Sequence, residues 1–133
     1  MYGPGDLEGH LGKDGRYYVL DTARLFPPHP PVAGVPGCFL YRLFRGEFVQ
    51  AYALPLSSDA FSAFQTGPDV ELHNREVRDA YAHLLATTVP ALAAALDARH
   101  AQLRPPNTFD VAAELHAAGV NLRLLAQVRV LIR

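Results

Sequence analysis

The sequence predicts an α+β protein: an N-terminal β-hairpin or small antiparallel sheet followed by a mostly helical body. Three observations carry that expectation. The run YYVL, residues 17–20, is the clearest β-favouring stretch of the chain and follows an Asp14-Gly15 turn signal. Between Pro27 and Gly37 stand five prolines and two glycines, which exclude a helix interior or a central strand there. Beyond that segment, apolar residues recur at helical spacing over most of the remaining chain.

The 133 residues are expected to form one domain, 1–37 being hairpin plus Pro-rich loop and 38–133 the helical body. No apolar run reaches the roughly 20 residues of a membrane-crossing helix. The start, MYGPGDLEGH, lacks the basic and apolar regions of a secretion signal, so a cytoplasmic location is expected. A single cysteine, Cys38, excludes an internal disulfide and a multi-cysteine zinc site and reads as a small buried residue. The net charge of −1 supplies no global attraction for DNA or an anionic membrane.

Taken in order, Glu8 to Phe26 reads as a hairpin turning at Asp14-Gly15. A helical face of Leu40, Leu43, Phe44, Phe48 and Tyr52 begins near Phe39, interrupted at Gly46 and ended by Pro55. Ser57 or Ser58 is placed to cap a short helix carrying Phe61 and Phe64, before Gly67-Pro68 breaks the chain. The strongest helix is expected from Asn74, as N-cap, to Arg99, with Pro90 kinking or splitting it near Thr87. Arg104-Pro105-Pro106-Asn107 is the next break. A short helix closed by Gly119 and a last helix capped by Asn121 complete the chain.

A two-residue turn at Asp14-Gly15 would set Gly12 opposite Tyr17, His10 opposite Val19 and Glu8 opposite Asp21, gathering Glu8, His10 and Asp21 on one face. Carboxylate and imidazole donors so placed suit a divalent ion, or a phosphate held through one. A three-residue turn would dissolve the group. The structural alternative is a buried Asp21 that turns the chain by local hydrogen bonds and pairs with Arg16 or Arg24. The ligand-binding candidates are thus Glu8, His10, Asp14, Arg16, Asp21 and Arg24. Complete kinase chemistry is not expected, because the only lysine, Lys13, lies in a turn and no glycine-rich loop opens a helix. Neither Cys38 nor Ser57-Ser58 has a nucleophile's signature, and the six histidines lack metal-ligand spacing, so no catalytic residue or cofactor is assigned.

Three stretches together resemble the conserved domain of the clustered mitochondria (CLU) family: HLGKDGRYYVLDTARLFPP, LYRLFRGEFVQAY and ELHAAGVNLRLLAQVR. Gly46 stands where that family usually has proline, and Leu124 and Ala126 depart from the last motif. The chain is also much shorter than family members. The resemblance implies a cytosolic protein tied to mitochondrial distribution and to messenger RNA or ribosome-associated work, with no cofactor. The expected function is therefore a non-enzymatic interaction module, with the RNA or ribosome association that the resemblance implies. The alternatives are a phosphate- or metal-binding or kinase-like remnant site at the hairpin, and a self-assembling structural unit.

For RNA, the candidates are Arg123, Arg129 and Arg133, within a basic C-terminal stretch whose residues 123 and 129 do not share a helix face cleanly. For self-association, Leu124, Leu125, Val128, Val130, Leu131 and Ile132 make a final helix apolar on most sides. A homodimer centred there, with Leu96, is expected.

Overall fold

The hairpin is formed by β1 (Glu8–Leu11) and β2 (Tyr17–Leu20), a two-stranded antiparallel sheet. It belongs to a computed structural model that describes residues 3–102 and 110–132. Helices make up the rest of the regular structure: α1 (Gly46–Ala51), α2 (Val70–His83), α3 (Val89–His100), α4 (Val111–Ala117) and α5 (Leu125–Leu131). The fold is α+β. The expected break at residues 104–107 lies outside the described residues, as does Arg133.

The chain divides into two compact units that interleave along the sequence, Met1–Leu43 with Ala53–Asp79, and Phe44–Tyr52 with Ala80–Arg133. In the first, the Pro-rich segment is ordered rather than a loose linker. Pro28 forms an isolated β-bridge with Leu43, and His29 N–H donates to Arg42 O at 2.6 Å. Cys38 is buried, as expected, and its Sγ accepts from Val32 N–H at 3.2 Å.

That bridge corrects the helix expected from Phe39. Residues Cys38–Leu40 make only a 3-10 turn, and Leu40 is exposed. Drawing residues 42–43 into extended pairing delays the helix to Gly46, the first residue of α1, where Arg45 is the extended N-cap. The Arg45 guanidinium then grips Glu47 at 3.0 and 2.8 Å. A glycine that weakens a helix interior costs little at this first position, so tertiary pairing has overridden periodicity.

The serine-capped helix at Phe61 and Phe64 is replaced by consecutive turns. Ser58 is buried and donates to Leu25 O at 2.9 Å, while Ser57 Oγ accepts from Asp59 N–H at 3.3 Å. The expected N-cap Asn74 lies inside α2, which starts at Val70 with Glu71 in its first turn and His73 N–H donating to Asp69 O. Asn74 is buried, and its Oδ1 accepts from Phe61 N–H at 2.9 Å. Phe61 needs that anchor, because its φ of 64° is left-handed. Asn74→Ala is expected to cost about 2 kcal/mol through an orphaned buried N–H. A urea midpoint unchanged beside that of the exposed-site control Glu71→Ala would contradict this role.

The proline problem is met by a π turn. Leu84–Thr88 has π geometry, with Val89 N–H donating to Leu84 O, and α3 follows with Pro90 in its first turn. The wider turn accommodates a ring with no N–H to donate, so the chain continues without a break.

The second unit is closed by a complete Schellman ending of α4. Gly119, at φ 71°, donates to His116 O at 2.9 Å, and Val120 N–H donates to Leu115 O at 2.8 Å. Leu115 and Val120, the apolar pair of that motif, are fully buried. Asn121 stands at the expected cap, before a 3-10 turn at Leu122–Leu124 that leads into α5; its carbonyl accepts from Leu124 N–H. Leu96, Leu124 and Val128 are buried within this unit, so Leu96 does not lie on an open interface, whereas Leu125, Val130 and Leu131 are exposed.

Candidate functional site

The hairpin turn is one residue longer than expected. Gly12 N–H donates to Arg16 O at 2.7 Å, and the loop is Lys13-Asp14-Gly15, with Gly15 at φ 77°. This is the three-residue loop in which a left-handed glycine ends a tight turn. Its side-chain chemistry holds it there: Asp14 Oδ1 accepts from Arg16 N–H at 3.2 Å and Oδ2 accepts from Tyr18 O–H at 2.7 Å. The Tyr18 ring crosses Gly12 so closely that an added Cβ would sit 2.5 Å from its Cε2. The Tyr18 hydroxyl, with Arg16 N–H, holds the Asp14 carboxyl below its usual range; the same bond raises Tyr18.

The longer loop shifts the register to Glu8↔Leu20, Gly9↔Val19, His10↔Tyr18 and Leu11↔Tyr17. The expected grouping of Glu8, His10 and Asp21 is thereby dissolved. Glu8 and His10 stay together on one face, 3.2 Å apart. Asp21 has left the strand at φ 53°, is exposed, and accepts a long local bond, 3.5 Å, from Ala23 N–H. Arg16 lies 4.0 Å from Asp14 in an exposed pair rather than against Asp21. Among the described residues, no group of three or more His, Cys, Asp and Glu side chains is placed to hold a metal ion.

Arg24 is the buried member of the candidate set, 6% exposed, and its ion pairs are with Asp6 and Asp59 rather than with Asp21. Its Nε donates to Asp6 Oδ2 at 2.9 Å; Nη2 lies 2.7 Å from Asp6 Oδ1 and 3.5 Å from Asp59 Oδ1. The guanidinium also lies 5.2 Å from the centre of the Phe64 ring, and Gly5 N–H donates to both Asp59 oxygens. Asp6 precedes β1 and Arg24 follows β2, so this clamp closes the base of the hairpin and ties it to the turn at Asp59. Arg24 holds the Asp6 carboxyl below its usual range, and Asp6 raises Arg24 in return. Sequence reasoning missed Asp6 and Asp59. Separations of 18 and 54 residues, from Asp6 to Arg24 and from Gly5 to Asp59, leave no local pattern to read.

Above the clamp the hairpin is open. Leu11, Tyr17 and Val19 share one face and are 63%, 83% and 58% exposed; Tyr18 and Leu20 on the other face are also exposed. β1 and β2 pair only with each other among the described strands, so each has an open edge.

Residues 1–30 match the family model for clustered mitochondria, CLU. None of the curated proteins and none of the solved structures matches the chain. The matched CLU segment comprises the hairpin and both ends of its Asp6–Arg24 clamp. The other two resembling stretches meet in the second unit, where Gly119 lies against the Phe48 backbone. Of the RNA candidates, Arg123 and Arg129 are exposed. Among the described residues, no helix is long and apolar enough to cross a membrane.

Proposed function

We propose that this chain is a non-enzymatic, CLU-like interaction module, acting in the cytoplasm, whose partner-facing element is the hairpin. The observation that carries the reading is the exposed face of Leu11, Tyr17 and Val19 on a sheet clamped at its base. Large apolar side chains gathered on one rigid, solvent-facing element mark a contact surface. The CLU match over residues 1–30 falls on the same element. The triple variant Leu11→Thr/Tyr17→Thr/Val19→Thr keeps β-favouring residues and removes only exposed surface. It should melt like wild type yet fail to retain proteins that wild type draws from a cytosolic extract. Unchanged retention would remove the hairpin face as the contact.

RNA association is the second reading, favoured by an exposed Arg16 beside Tyr17 and Tyr18, a cation next to rings on which bases can stack. Binding to single-stranded RNA should then weaken steeply with salt, and Arg123→Gln/Arg129→Gln should flatten the slope if those arginines meet phosphates. No retention of RNA by folded protein at low salt would end this reading.

A further inference from the structure

We propose that β1 pairs antiparallel with β1 of a second copy, about a two-fold axis at Gly9, to make a four-stranded sheet. The main-chain pattern of the hairpin decides which groups are free to do this. Gly12 N–H bonds to Arg16 O, so the alternating ladder turns the main-chain groups of His10 and Glu8 inward toward β2. Those of Gly9 and Leu11 point outward along the open edge, together with the Leu7 carbonyl; the Leu7 N–H is taken by Pro4 O.

Symmetry then restricts the register. A two-fold axis normal to the sheet keeps each face on its own side, so only residues of the same parity can stand opposite each other. Within Glu8–Leu11 the axis can therefore pass through any of the four residues, but at Leu11 it sets His10 and Gly9 against the partner's Gly12 and Lys13, beyond the strand, which leaves Glu8, Gly9 or His10. At Glu8 it sets Glu8 against the partner's Glu8, and at His10 it sets His10 against the partner's His10. Two carboxylates directly opposite oppose pairing, and two imidazoles opposite each other leave the carboxylates unmatched across the seam, whereas a carboxylate opposite an imidazole can accept its N–H. At Gly9, each Glu8 faces the partner's His10 and each Leu7 faces the partner's Leu11. The existing Glu8–His10 contact of 3.2 Å would become half of a closed Glu-His-Glu-His ring. Gly9 and the partner's Gly9 exchange main-chain bonds, and Leu11 N–H donates to the carbonyl of the partner's Leu7. Nothing lies within 4 Å of the position a Gly9 side chain would take, so the sheet face carrying Leu11, Tyr17 and Val19 is open at the axis.

The donor–acceptor pattern of β1 is thus complementary to itself in one symmetric register, a carboxylate facing an imidazole on both sides of the axis, and that selects a second copy as occupant of this edge. The same symmetry places the Leu11, Tyr17 and Val19 faces of both copies side by side on one surface. Pairing does not rest on the partner reading above: a monomer could still bind through that face, and a dimer need not.

The test is sedimentation velocity across the micromolar range, with helical content followed by circular dichroism. Wild type is expected to dimerise at high micromolar concentration. Gly9→Pro should be a folded monomer, since residue 9 sends its N–H outward and proline is tolerated on such an edge. Val19→Pro blocks the β2 edge in the same way and should leave the dimer intact. His10→Glu and Glu8→Lys/His10→Lys should each be monomeric alone and dimerise when mixed. A monomeric wild type, a dimer that survives Gly9→Pro, one lost only in Val19→Pro, or charge variants that pair alone as well as mixed would overturn the proposal.

Discussion

Gly119→Ala is expected to destabilise the protein by about 3 kcal/mol, combining a left-handed backbone cost of about 1–2 kcal/mol with overpacking of similar size. The position is constrained twice. Its φ of 71° belongs to the Schellman ending of α4, and a Cβ there would lie 2.5 Å from Phe48 N and 2.7 Å from Phe48 Cα. Those neighbours are backbone of α1 and cannot swing aside as a side-chain tip would. Phe48 is itself held, stacked on Phe44 at 5.0 Å and on Tyr52 at 5.5 Å. Gly34→Ala isolates the backbone share, because Gly34 has nearly the same φ, 77°, but open space around it. In urea titrations Gly119→Ala should lose clearly more than Gly34→Ala. Equal losses would mean that the Phe48 contact yields easily and that α1 is not fixed by it.

Arg24→Met should lower the melting temperature and strip hydrogen-exchange protection from β1 and β2 while leaving α3 and α5 protected. Without the guanidinium, Asp6 and Asp59 face each other with no cation, and the base of the hairpin loses its closure. The pH dependence provides a second readout. Asp6, Asp14 and Glu47 are held below their ordinary values by Arg24, Tyr18 and Arg45 respectively. Groups depressed in the folded state contribute stability above their unfolded values, 3.8 for Asp and 4.5 for Glu, and lose it as pH falls through the folded ones. The carboxylate contribution to wild-type stability should therefore be level from about pH 5 to about pH 9 and fall in acid, while the raised Tyr18 loses its share only in strong alkali. Arg24→Met removes the Asp6 share, so its acid decline should be shallower. A parallel decline in both proteins would show that the clamp carries no weight in the folded state.

Elements governed by local chemistry were legible in the sequence. YYVL is a strand because its residues favour extended backbone; Gly119 ends α4 because glycine suits the left-handed position; Pro90 had to disturb its helix. Elements governed by distant partners were not. Leu43 leaves the helical periodicity because Pro28 bridges it, and Asn74 is enclosed in α2 because Phe61 needs an acceptor. The candidate site divides along the same line. Glu8 and His10 stay together because strand alternation alone puts them on one face. The place of Asp21 depended on loop length, which turned on the Asp14 carboxylate accepting from both Arg16 N–H and the Tyr18 hydroxyl. Arg24 was marked as a candidate, but its partners lie in segments that only folding brings to it.

The hairpin as the partner-facing element is tested most directly by a photo-crosslinking residue placed at Tyr17, with a second at Leu131 as an exposed control on α5. Irradiation in a cell extract is predicted to give a discrete adduct from position 17, heavier than two copies of the chain, that disappears when Leu11→Thr and Val19→Thr are added. Position 131 should not give that adduct. The same adduct from both positions, or one from position 17 that survives the two threonines, would contradict the account.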